Sequence, residues 1–571
     1  MGTFSRLACL EAMLLLCVAV LGQAAPTESL PPIAGGVGPD GWTVFTKSSD
    51  TQVVYVSSSE GDDTGDGLSP ERPLKTLAKG MSLLRDGYPD WLLLKRGDAW
   101  QEPLGRLRAS GRSRAEPVLI ASYGDGSKRP LILLGDYRAG LEISGPGMKN
   151  IALTGLHFYD EKGDPASPDF VKDRDKGNAG VRLLALGENL LVEDCRFEML
   201  SGLVIMGRIW VPEGREAPPF GFRNVQLRRS AVTGAWSSHG HCQGCFFNEI
   251  DGLLLEENLL DHNGWNDATG DLATVFNHNV YITIRCDGVI ARGNIVARGS
   301  TTGIYCRTNG VLEDNLLIDN APALNLGRIT QFRPGGVTGR IAGNVVFGAP
   351  SRTGRKDLVI QNHGIEVGNV NPQGVVVEGN LLIGGGAEGI ALRISPCGVG
   401  VHNVVFRDNV VYDWPRALAW VGVPGERLDS QQLSGIAFQR NLFRVDASAA
   451  ADVPLLRGRD MGDTTAFTLE GNVYDFRGAA GDCIELAESR MTLPEWLRQS
   501  GHQGDRIGEI RFADPHRTIA GYHGSLGKPP TLEAFLDEAA KQSKTSWRDE
   551  YTAKAVIQYI RGGFQPGSPG S

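Results

Sequence analysis

The chain has 571 residues, 75 of them glycine, and a formal net charge of −9 at pH 7. This charge argues against nucleic acid as a partner, because binding to phosphates needs a positively charged surface. Many glycines with only 7% aromatic residues favour numerous turns and thin layers over several compact domains.

The N-terminus has the layout of a cleavable secretory signal. Arg6 precedes an apolar run, Met13 to Leu21, and small residues follow it, namely Gly22, Ala24 and Ala25. We expect residues 1–24 to be removed, residues 25–50 to form a linker, and the protein to be secreted or periplasmic. No later segment reaches the ~18 uninterrupted apolar residues of a transmembrane helix, so we expect no membrane insertion.

Residues 51–145 are predicted to form an N-terminal cap and the first coils of a solenoid. A strand-like segment at Tyr55 leads into a polar turn, Pro73 to Leu84 has the periodicity of an amphipathic helix, and Trp91 begins another apolar strand. A solenoid needs such a cap, because its end coil otherwise exposes strand edges and core.

Residues 146–480 carry an internal repeat in which a Gly-led strand ends at Asn. The clearest copies run from Gly to Asn, at 252–258, 288–294, 310–315, 339–344 and 374–380. Further copies end at Asn409, Asn441 and Asn472. The Asn is interpreted as a turn residue that tolerates left-handed backbone, and the turns are expected to stack with hydrogen bonds between Asn side chains.

The alternatives to a solenoid are a β-sandwich or a propeller, and the repeat length argues against the propeller. Asn294 and Asn315 are only 21 residues apart, whereas a propeller blade needs about 40 or more residues and four strands. Residues 481–571 are predicted to be a C-terminal cap, because Leu532 to Lys541 and Trp547 to Ile560 have helical periodicity.

The stretch from Tyr55 to the strand at Trp91 resembles the N-terminal cap of secreted parallel β-helix proteins of the pectate lyase superfamily. The resemblance implies an all-β fold, a right-handed parallel β-helix with helical caps at both ends. Members of the superfamily include pectate and alginate lyases, polygalacturonase-like hydrolases, mannuronan C5-epimerases and phage tailspikes. Because these functions share one architecture, the fold does not choose among them.

Alternation along the strands predicts which side chains point outward. Val280, Ile282 and Ile284 should face the core, which leaves Tyr281 and Arg285 outside. The same parity exposes further residues on later coils, namely Tyr305, Arg307, Asn325, Glu366 and Arg393. Arg285 and Arg307 are expected to be stacked neighbours. His241 and Gln243 would also face outward if Cys242 and Phe246 lie inside.

Tyrosine, arginine and histidine along one stripe suit the cleavage of an anionic sugar polymer. Lyase cleavage of a uronate needs a cation to neutralise the carboxylate and a base to remove the adjacent proton. The predicted catalytic residues are Tyr281, Arg285, Tyr305, Arg307 and His241. The predicted substrate-binding residues are Gln243, Trp265, Asn325, Glu366 and Arg393. The alternative is that these side chains only decorate an exposed strand.

A long polar insertion beside this stripe contains three aspartates, Asp261, Asp267 and Asp271. With neighbouring Asn residues they could bind Ca²⁺, which takes six to eight oxygen ligands, although no EF-hand spacing is present. The alternative is a solvated loop. Trp265 could stack on a sugar ring. His278 has inward parity at a strand start and is equally compatible with a structural role in the turn.

The leading hypothesis is therefore a monomeric lyase that acts on an acidic polysaccharide by β-elimination. A glycoside hydrolase on the same fold would need two carboxylates roughly 5 to 9.5 Å apart, and Glu366 has no evident acidic neighbour in the stripe. A C5-epimerase ranks lower because the chain lacks an Asp-Pro-His-Asp string. A carbohydrate-binding or surface solenoid without catalysis suits the signal and the fold equally well.

Overall fold

The computed structural model describes residues 29–565, apart from 173–176, 202, 207–219, 239–240, 272, 329–332, 349–362, 386–388, 415–416, 422–431, 446–455, 459–465, 477–483, 487–488 and 500–503. The predicted signal peptide, residues 1–24, lies outside the described residues. Within the described part, no helix is long and apolar enough to span a membrane.

The described strands form three long sheets. Sheet 1 has 17 strands: Val53–Val56, Trp91–Lys95, Gly105–Leu107, Val118–Tyr123, Ala139–Thr154, Ala179–Glu193, Phe222–Arg228, Ile250–Glu256, Asp287–Arg292, Gly310–Glu313, Val337–Ala342, Val370–Glu378, Val401–His402, Val404–Arg407, Leu433–Ser434, Ile436–Gln439 and Phe467–Glu470. Sheet 2 has 14 strands: Ala99–Trp100, Leu131–Leu133, His157–Tyr159, Arg196–Glu198, Ala231–Thr233, Leu259–Asp261, Ile295–Ala297, Leu316–Asn320, Val345–Gly348, Leu381–Ile383, Val410–Tyr412, Leu442–Val445, Val473–Phe476 and Arg506–Ile507. Sheet 3 has 11 strands: Leu203–Met206, Cys245–Asn248, Val280–Ile282, Ile304–Cys306, Leu324–Leu326, His363–Gly368, Ile390–Ser395, Ala417–Val421, Leu456–Gly458, Ile484–Leu486 and Ser489–Met491.

Successive coils pair strand on strand in parallel. One coil passes from Asp287–Arg292 in sheet 1 to Ile295–Ala297 in sheet 2 and Ile304–Cys306 in sheet 3. The next coil repeats the order, so that Ile295 pairs with Leu316 and Ile304 with Leu324. The fold is therefore a parallel β-helix, as predicted, and we assign its right-handed sense from the rule that parallel crossover connections are right-handed.

The turn between sheets 1 and 2 carries a continuous ladder of buried Asn side chains. Each Nδ2 donates to the Oδ1 of the Asn on the next coil, at 2.8 to 3.0 Å, through Asn258, Asn294, Asn315, Asn344, Asn380, Asn409, Asn441 and Asn472. The predicted stacking is confirmed. The left-handed residue, however, is the one before the Asn, as at Gly293 (φ 63°), Asp314 (φ 53°) and Gly343 (φ 66°).

The N-terminal residues are packed against the solenoid. Ile33 lies in an apolar cluster with Leu119 and Leu191 on sheet 1, and Thr43 donates to the buried Glu193. The prediction of a linker over residues 25–50 is therefore wrong for the described part of that segment. The helix Leu77–Met81 lies within residues 51–145, where the N-terminal cap is predicted, and its Leu77 is buried in the main core.

The C-terminal region contains the helices Leu493–Gln499, Ile519–Ser525, Leu532–Ala540 and Ala553–Gly563 and the 3₁₀ helix Asp549–Tyr551. The helices predicted near residues 532–541 and 547–560 are present, but they cover the outer face of sheet 2 rather than the end of the solenoid. Phe535 and Ile560 share one apolar cluster with Leu259, Ile295 and Leu316 of sheet 2. Only the first helix joins the main core, through its Leu493 and Trp496.

Candidate functional site

The outward positions of sheet 3 place six side chains on successive coils. The strand register pairs Phe246 with Tyr281, Tyr281 with Tyr305, Tyr305 with Asn325, Asn325 with Glu366, and Glu366 with Arg393. Neighbouring strands of a sheet lie about 4.8 Å apart, so these side chains are adjacent although they are distant in the sequence. The stripe predicted from parity therefore exists for Tyr281, Tyr305, Asn325, Glu366 and Arg393.

Two tyrosines and one arginine form a tight group at the start of this stripe, which we call the tyrosine–arginine cluster. The rings of Tyr281 and Tyr305 stack with centroids 5.4 Å apart and 15° between their planes. The guanidinium of Arg307 lies 5.3 Å from the Tyr281 ring and 5.8 Å from the Tyr305 ring, and its Nη1 donates to the Tyr281 hydroxyl. Burial raises the pKa of Tyr305 above its ordinary value, so this phenol keeps its proton at neutral pH.

His278 completes the tyrosine–arginine cluster. Its ring centroid is 4.7 Å from that of Tyr305 and 5.2 Å from that of Tyr281. Its Nδ1 lies 2.8 Å from the hydroxyl of Thr301. Burial, with a further contribution from the charge of Arg307, lowers the pKa of His278 to about 3, so the imidazole is neutral at physiological pH. The inward parity predicted for His278 agrees with its burial, but parity did not place it beside the tyrosines.

The next coils carry a buried charged group, the Glu366 network. Arg328 Nη1 lies 3.0 Å and Arg393 Nε 3.3 Å from the Glu366 carboxylate. Ser395 and Asn325 donate to the same carboxylate at 2.6 and 2.9 Å. Burial alone would raise the pKa of Glu366, but the charges of Arg328 and Arg393 bring it well below its ordinary value. Glu366 is therefore a fixed anion.

In the Glu366 network, the side chain of His363 lies beside that of Arg393. His363 lies with its Nε2 3.0 Å from Arg393 Nη1, and burial followed by the charge of Arg393 lowers the pKa of His363 to about 4. Burial lowers the pKa of Arg393 to about 10. Arg328 and Arg393 both pair with one carboxylate, that of Glu366. Glu366 is therefore held between two guanidinium groups of the described stripe.

Burial separates this site from the exposed ridge that parity predicted. The backbone and side chain of Arg307 are only 5% exposed, and Asn325, Glu366 and Arg393 are 2% exposed or less. Tyr281 and Tyr305 are half-buried, and the side chain of Arg328 is 34% exposed. Among the described residues of the two groups, Tyr281, Tyr305 and Arg328 are therefore the most exposed.

Arg285 does not belong to the cluster. The register pairs Ile282 with Cys306, which places Arg307 opposite Thr283 rather than Arg285. Arg285 instead pairs with Glu249 at 2.5 Å, and its side chain is 64% exposed. The predicted stacking of the two arginines is wrong because the strand ends at Ile282, before Arg285.

His241 and Gln243 precede the strand whose parity was used to orient them. The strand begins at Cys245, which is buried, and Phe246 is on the outward side, against the ring of Tyr281 at 5.3 Å. The inward orientation assumed for Phe246 is therefore wrong. Gln243 is 7% exposed and its side chain bonds the backbone of the turn that holds His278. His241 is exposed and its ring contacts Phe276 at 5.3 Å.

The three aspartates do not fit a calcium site. Arg298 binds both carboxylate oxygens of Asp261, at 2.8 and 2.5 Å, and Asp271 accepts from Thr269. Asp267 is among the residues that the structure describes. Within that part of the chain, no three His, Cys, Asp or Glu side chains lie close enough together to hold a metal ion. Trp265 packs on His262 and donates to the Arg298 carbonyl, beside sheet 2 rather than the tyrosine pair.

Sequence reasoning missed Arg328 and His363 as parts of the site. Arg328 follows the strand Leu324–Leu326, so alternation carries no information about it. His363 opens the strand His363–Gly368 and lies beside Arg393 of the next coil. Alternation along this strand would place His363 and Glu366 on opposite faces, so the sequence carried no signal that they meet.

Comparison with known proteins gives a partial sequence match and several similar solved structures. No protein-family model matches the chain. A lacto-N-biosidase of Bifidobacterium longum subsp. longum is 34% identical over 92 residues, which are 16% of this chain and 6% of that protein. The chain thus matches only a small part of this curated relative.

Three solved structures are similar to the chain at low identity. A GH136 lacto-N-biosidase from Eubacterium ramulus is 17% identical, with 74% of this chain and 68% of that chain covered and a TM-score of 0.35. A mannuronic acid specific polysaccharide family 6 lyase from human gut microbiota is 14% identical, with 89% and 99% covered and a TM-score of 0.43. Pectate lyase Pel9A is 13% identical, with 75% and 80% covered and a TM-score of 0.31. The assignment of the fold rests on the strand pairing described above.

Proposed function

We propose that the protein is a polysaccharide-active enzyme that cleaves a uronate-containing polymer by β-elimination. The observation that carries the proposal is the tyrosine–arginine cluster, in which Arg307 bonds the hydroxyl of Tyr281 and faces the ring of Tyr305. Arg328 and Arg393 lie on the adjoining coils, where both pair with the carboxylate of Glu366. Arginine side chains attract anionic groups, and in a uronate-containing polymer that group is the carboxylate.

The elimination needs three groups, and the cluster supplies each of them. Arginine pairs with the substrate carboxylate and stabilises the negative charge that develops when the adjacent carbon loses its proton. That proton passes to a base, a carbon–carbon double bond forms, and the bond to the glycosidic oxygen breaks. The leaving oxygen then takes a proton from an acid.

We assign the base to Tyr281 and the acid to Tyr305. The form of Tyr281 that takes the proton is the phenolate, which becomes the phenol, and the Arg307 guanidinium donates to this oxygen, because a charge-assisted hydrogen bond to a phenolate is stronger than one to a neutral phenol. Tyr305 keeps its proton at neutral pH, since burial raises the pKa of its phenol, and can deliver it to the leaving oxygen. The stacked rings place the two hydroxyls on adjacent coils.

A glycoside hydrolase is the second candidate, because the 92-residue match is to a lacto-N-biosidase. Along the stripe, the acidic residue after Glu366 is Glu485, four strand pairings away through Arg393, Trp420 and Arg457. Four spacings amount to roughly 19 Å, beyond the ~9.5 Å limit for an inverting pair of carboxylates. Glu366 is also saturated by Arg328, Arg393, Ser395 and Asn325.

We further propose that the protein is exported and monomeric and that its partner is an acidic polysaccharide. The export proposal is supported by the layout of residues 1–24. No calcium site is proposed at Asp261, Asp267 and Asp271, because Arg298 already binds the Asp261 carboxylate.

The test is incubation of the purified protein with alginate, pectate and glycosaminoglycans while the ultraviolet absorbance of the unsaturated product and the release of reducing ends are recorded together. A lyase produces both signals in step. Reducing ends without absorbance would identify a hydrolase. Binding without either signal would identify a carbohydrate-binding solenoid.

A further inference from the structure

The hydrogen bonds around His278 determine which of its ring nitrogens carries the proton. The hydroxyl of Thr301 donates its only proton to the carbonyl of Asn277, at 2.6 Å. The contact of 2.8 Å between the same oxygen and His278 Nδ1 must therefore be a bond in which Nδ1–H donates. In a neutral imidazole the other nitrogen, Nε2, then has a free lone pair.

This lone pair belongs to the tyrosine–arginine cluster. The imidazole contacts both tyrosine rings, with centroids 4.7 and 5.2 Å away. Within the part of the chain that the structure describes, Nε2 has no hydrogen-bond partner, although His278 is only 5% exposed. Burial and the charge of Arg307 lower the pKa of His278 to about 3, so the lone pair is available over the whole physiological range.

The cluster thus presents groups of opposite hydrogen-bonding character. Arg307 offers only donors, which suit a carboxylate, whereas His278 Nε2 offers only an acceptor, which suits a hydroxyl and repels an anion. A uronate unit carries both groups on one ring. We infer that His278 Nε2 accepts a hydrogen bond from a ring hydroxyl of the uronate whose carboxylate pairs with Arg307, so that the site selects units with free hydroxyls over acylated units.

This inference deepens the proposed function and rests on it. The role of acceptor suits His278 better than that of base. A base must hold the proton it takes, and burial together with Arg307 disfavours the protonated imidazole. An acceptor needs only the fixed lone pair, and the bond to Thr301 holds the ring in the orientation that presents it.

The experiment compares two forms of the same ligands on the full-length protein. Oligomers of mannuronate, guluronate and galacturonate, each before and after O-acetylation, are titrated calorimetrically into the wild type, His278→Phe, His278→Gln and His516→Gln. Phenylalanine keeps an aromatic ring but lacks the acceptor, whereas glutamine places an amide oxygen near the position of Nε2. His516 is exposed and serves as the matched control. Circular dichroism and thermal unfolding establish that each variant is folded.

We expect the wild type and His516→Gln to bind the free form of one oligomer at least about tenfold more tightly than its acetylated form. In His278→Phe this ratio should fall to about threefold or less, mainly through weaker binding of the free form, and His278→Gln should restore part of it. Equal binding of both forms by the wild type, or an unchanged ratio in folded His278→Phe, overturns the inference alone. Binding of neither form to the wild type overturns the proposed function as well.

Discussion

The ring of Tyr281 stacks on the ring of Tyr305 with centroids 5.4 Å apart, although the two residues belong to different coils. The contact arises because Val280 pairs with Ile304 and Ile282 with Cys306, which aligns the outward positions between them. Arg307 directly follows Cys306 on the coil of Tyr305, and its guanidinium donates to the hydroxyl of Tyr281 on the preceding coil. Coil stacking therefore creates a cluster that no single segment of the chain contains.

Glu366→Gln should destabilise the protein strongly. The substitution removes the negative charge that pairs with the Arg328 and Arg393 guanidinium groups, and loss of one partner of a buried ion pair costs about 3 to 5 kcal/mol. Glu313→Gln is the control, because Glu313 pairs with an Arg340 side chain that is 28% exposed, and it should cost about 1 kcal/mol or less. Urea unfolding of both variants measures the difference. Equal stability of the two variants would refute the structural role assigned to Glu366.

Asn344→Ala should lower the free energy of unfolding by roughly 2 kcal/mol or more. Asn344 Nδ2 donates to the Leu312 carbonyl and to Asn380, and its Oδ1 accepts from the backbone and the side chain of Asn315. The substitution leaves several of these buried groups without a partner. Gln373→Ala, on an exposed position of the same sheet region, should have little effect. A wild-type melting temperature for Asn344→Ala would contradict the importance of the ladder.

Stability should decrease as the pH falls from 7 to 4. His278 and His363 have pKa values of about 3 and about 4 in the folded protein, below the ordinary value of 6.5. Unfolding therefore takes up protons below pH 6.5, which favours the unfolded chain, by up to about 1.4 kcal/mol per pH unit for each histidine. Urea unfolding at several pH values should give a shallower slope for His278→Gln than for His516→Gln. Identical slopes for these two variants would show that His278 is not buried in neutral form.

Leu316→Asp tests whether the C-terminal helices cover the outer face of sheet 2 or the end of the solenoid. Leu316 is fully buried in the cluster that joins sheet 2 to the C-terminal helices, so an aspartate there should cost several kcal/mol. Thr468→Asp, on an exposed position of sheet 1, should be tolerated. Thermal unfolding with a dye that binds apolar surface measures both effects. Tolerance of Leu316→Asp would place the helices elsewhere.

The spacing of Gly and Asn predicted the parallel solenoid because each coil repeats one turn whose buried Asn must lie above the previous one. Strand parity predicted the stripe from Tyr281 to Arg393, because the stacked turns also align the outward positions of successive strands. Parity failed at Arg285, Gln243 and Phe246, since alternation holds only inside a strand and the sequence does not mark the strand ends sharply.

Two other features depend on contacts that no local pattern contains. The burial of Arg307 and Arg393 is set by neighbouring coils and segments, so an outward position did not mean an exposed one. The periodicity of the C-terminal helices predicted that each has an apolar face. It did not predict that these faces pack on the outer side of sheet 2, because a helical period does not identify the surface that a helix packs against.

The most direct test of the proposed site is the kcat/KM for unsaturated product on the uronate polymer that gives the highest rate. Tyr281→Phe and Arg307→Lys should each lower kcat/KM at least about 100-fold. Phenylalanine lacks the oxygen that accepts the proton, and lysine lacks the planar set of N–H donors of the guanidinium. Arg292→Lys, an arginine paired with Glu256 on sheet 1, should remain within about twofold of the wild type. Wild-type rates in both folded cluster variants would contradict the assignment of this site.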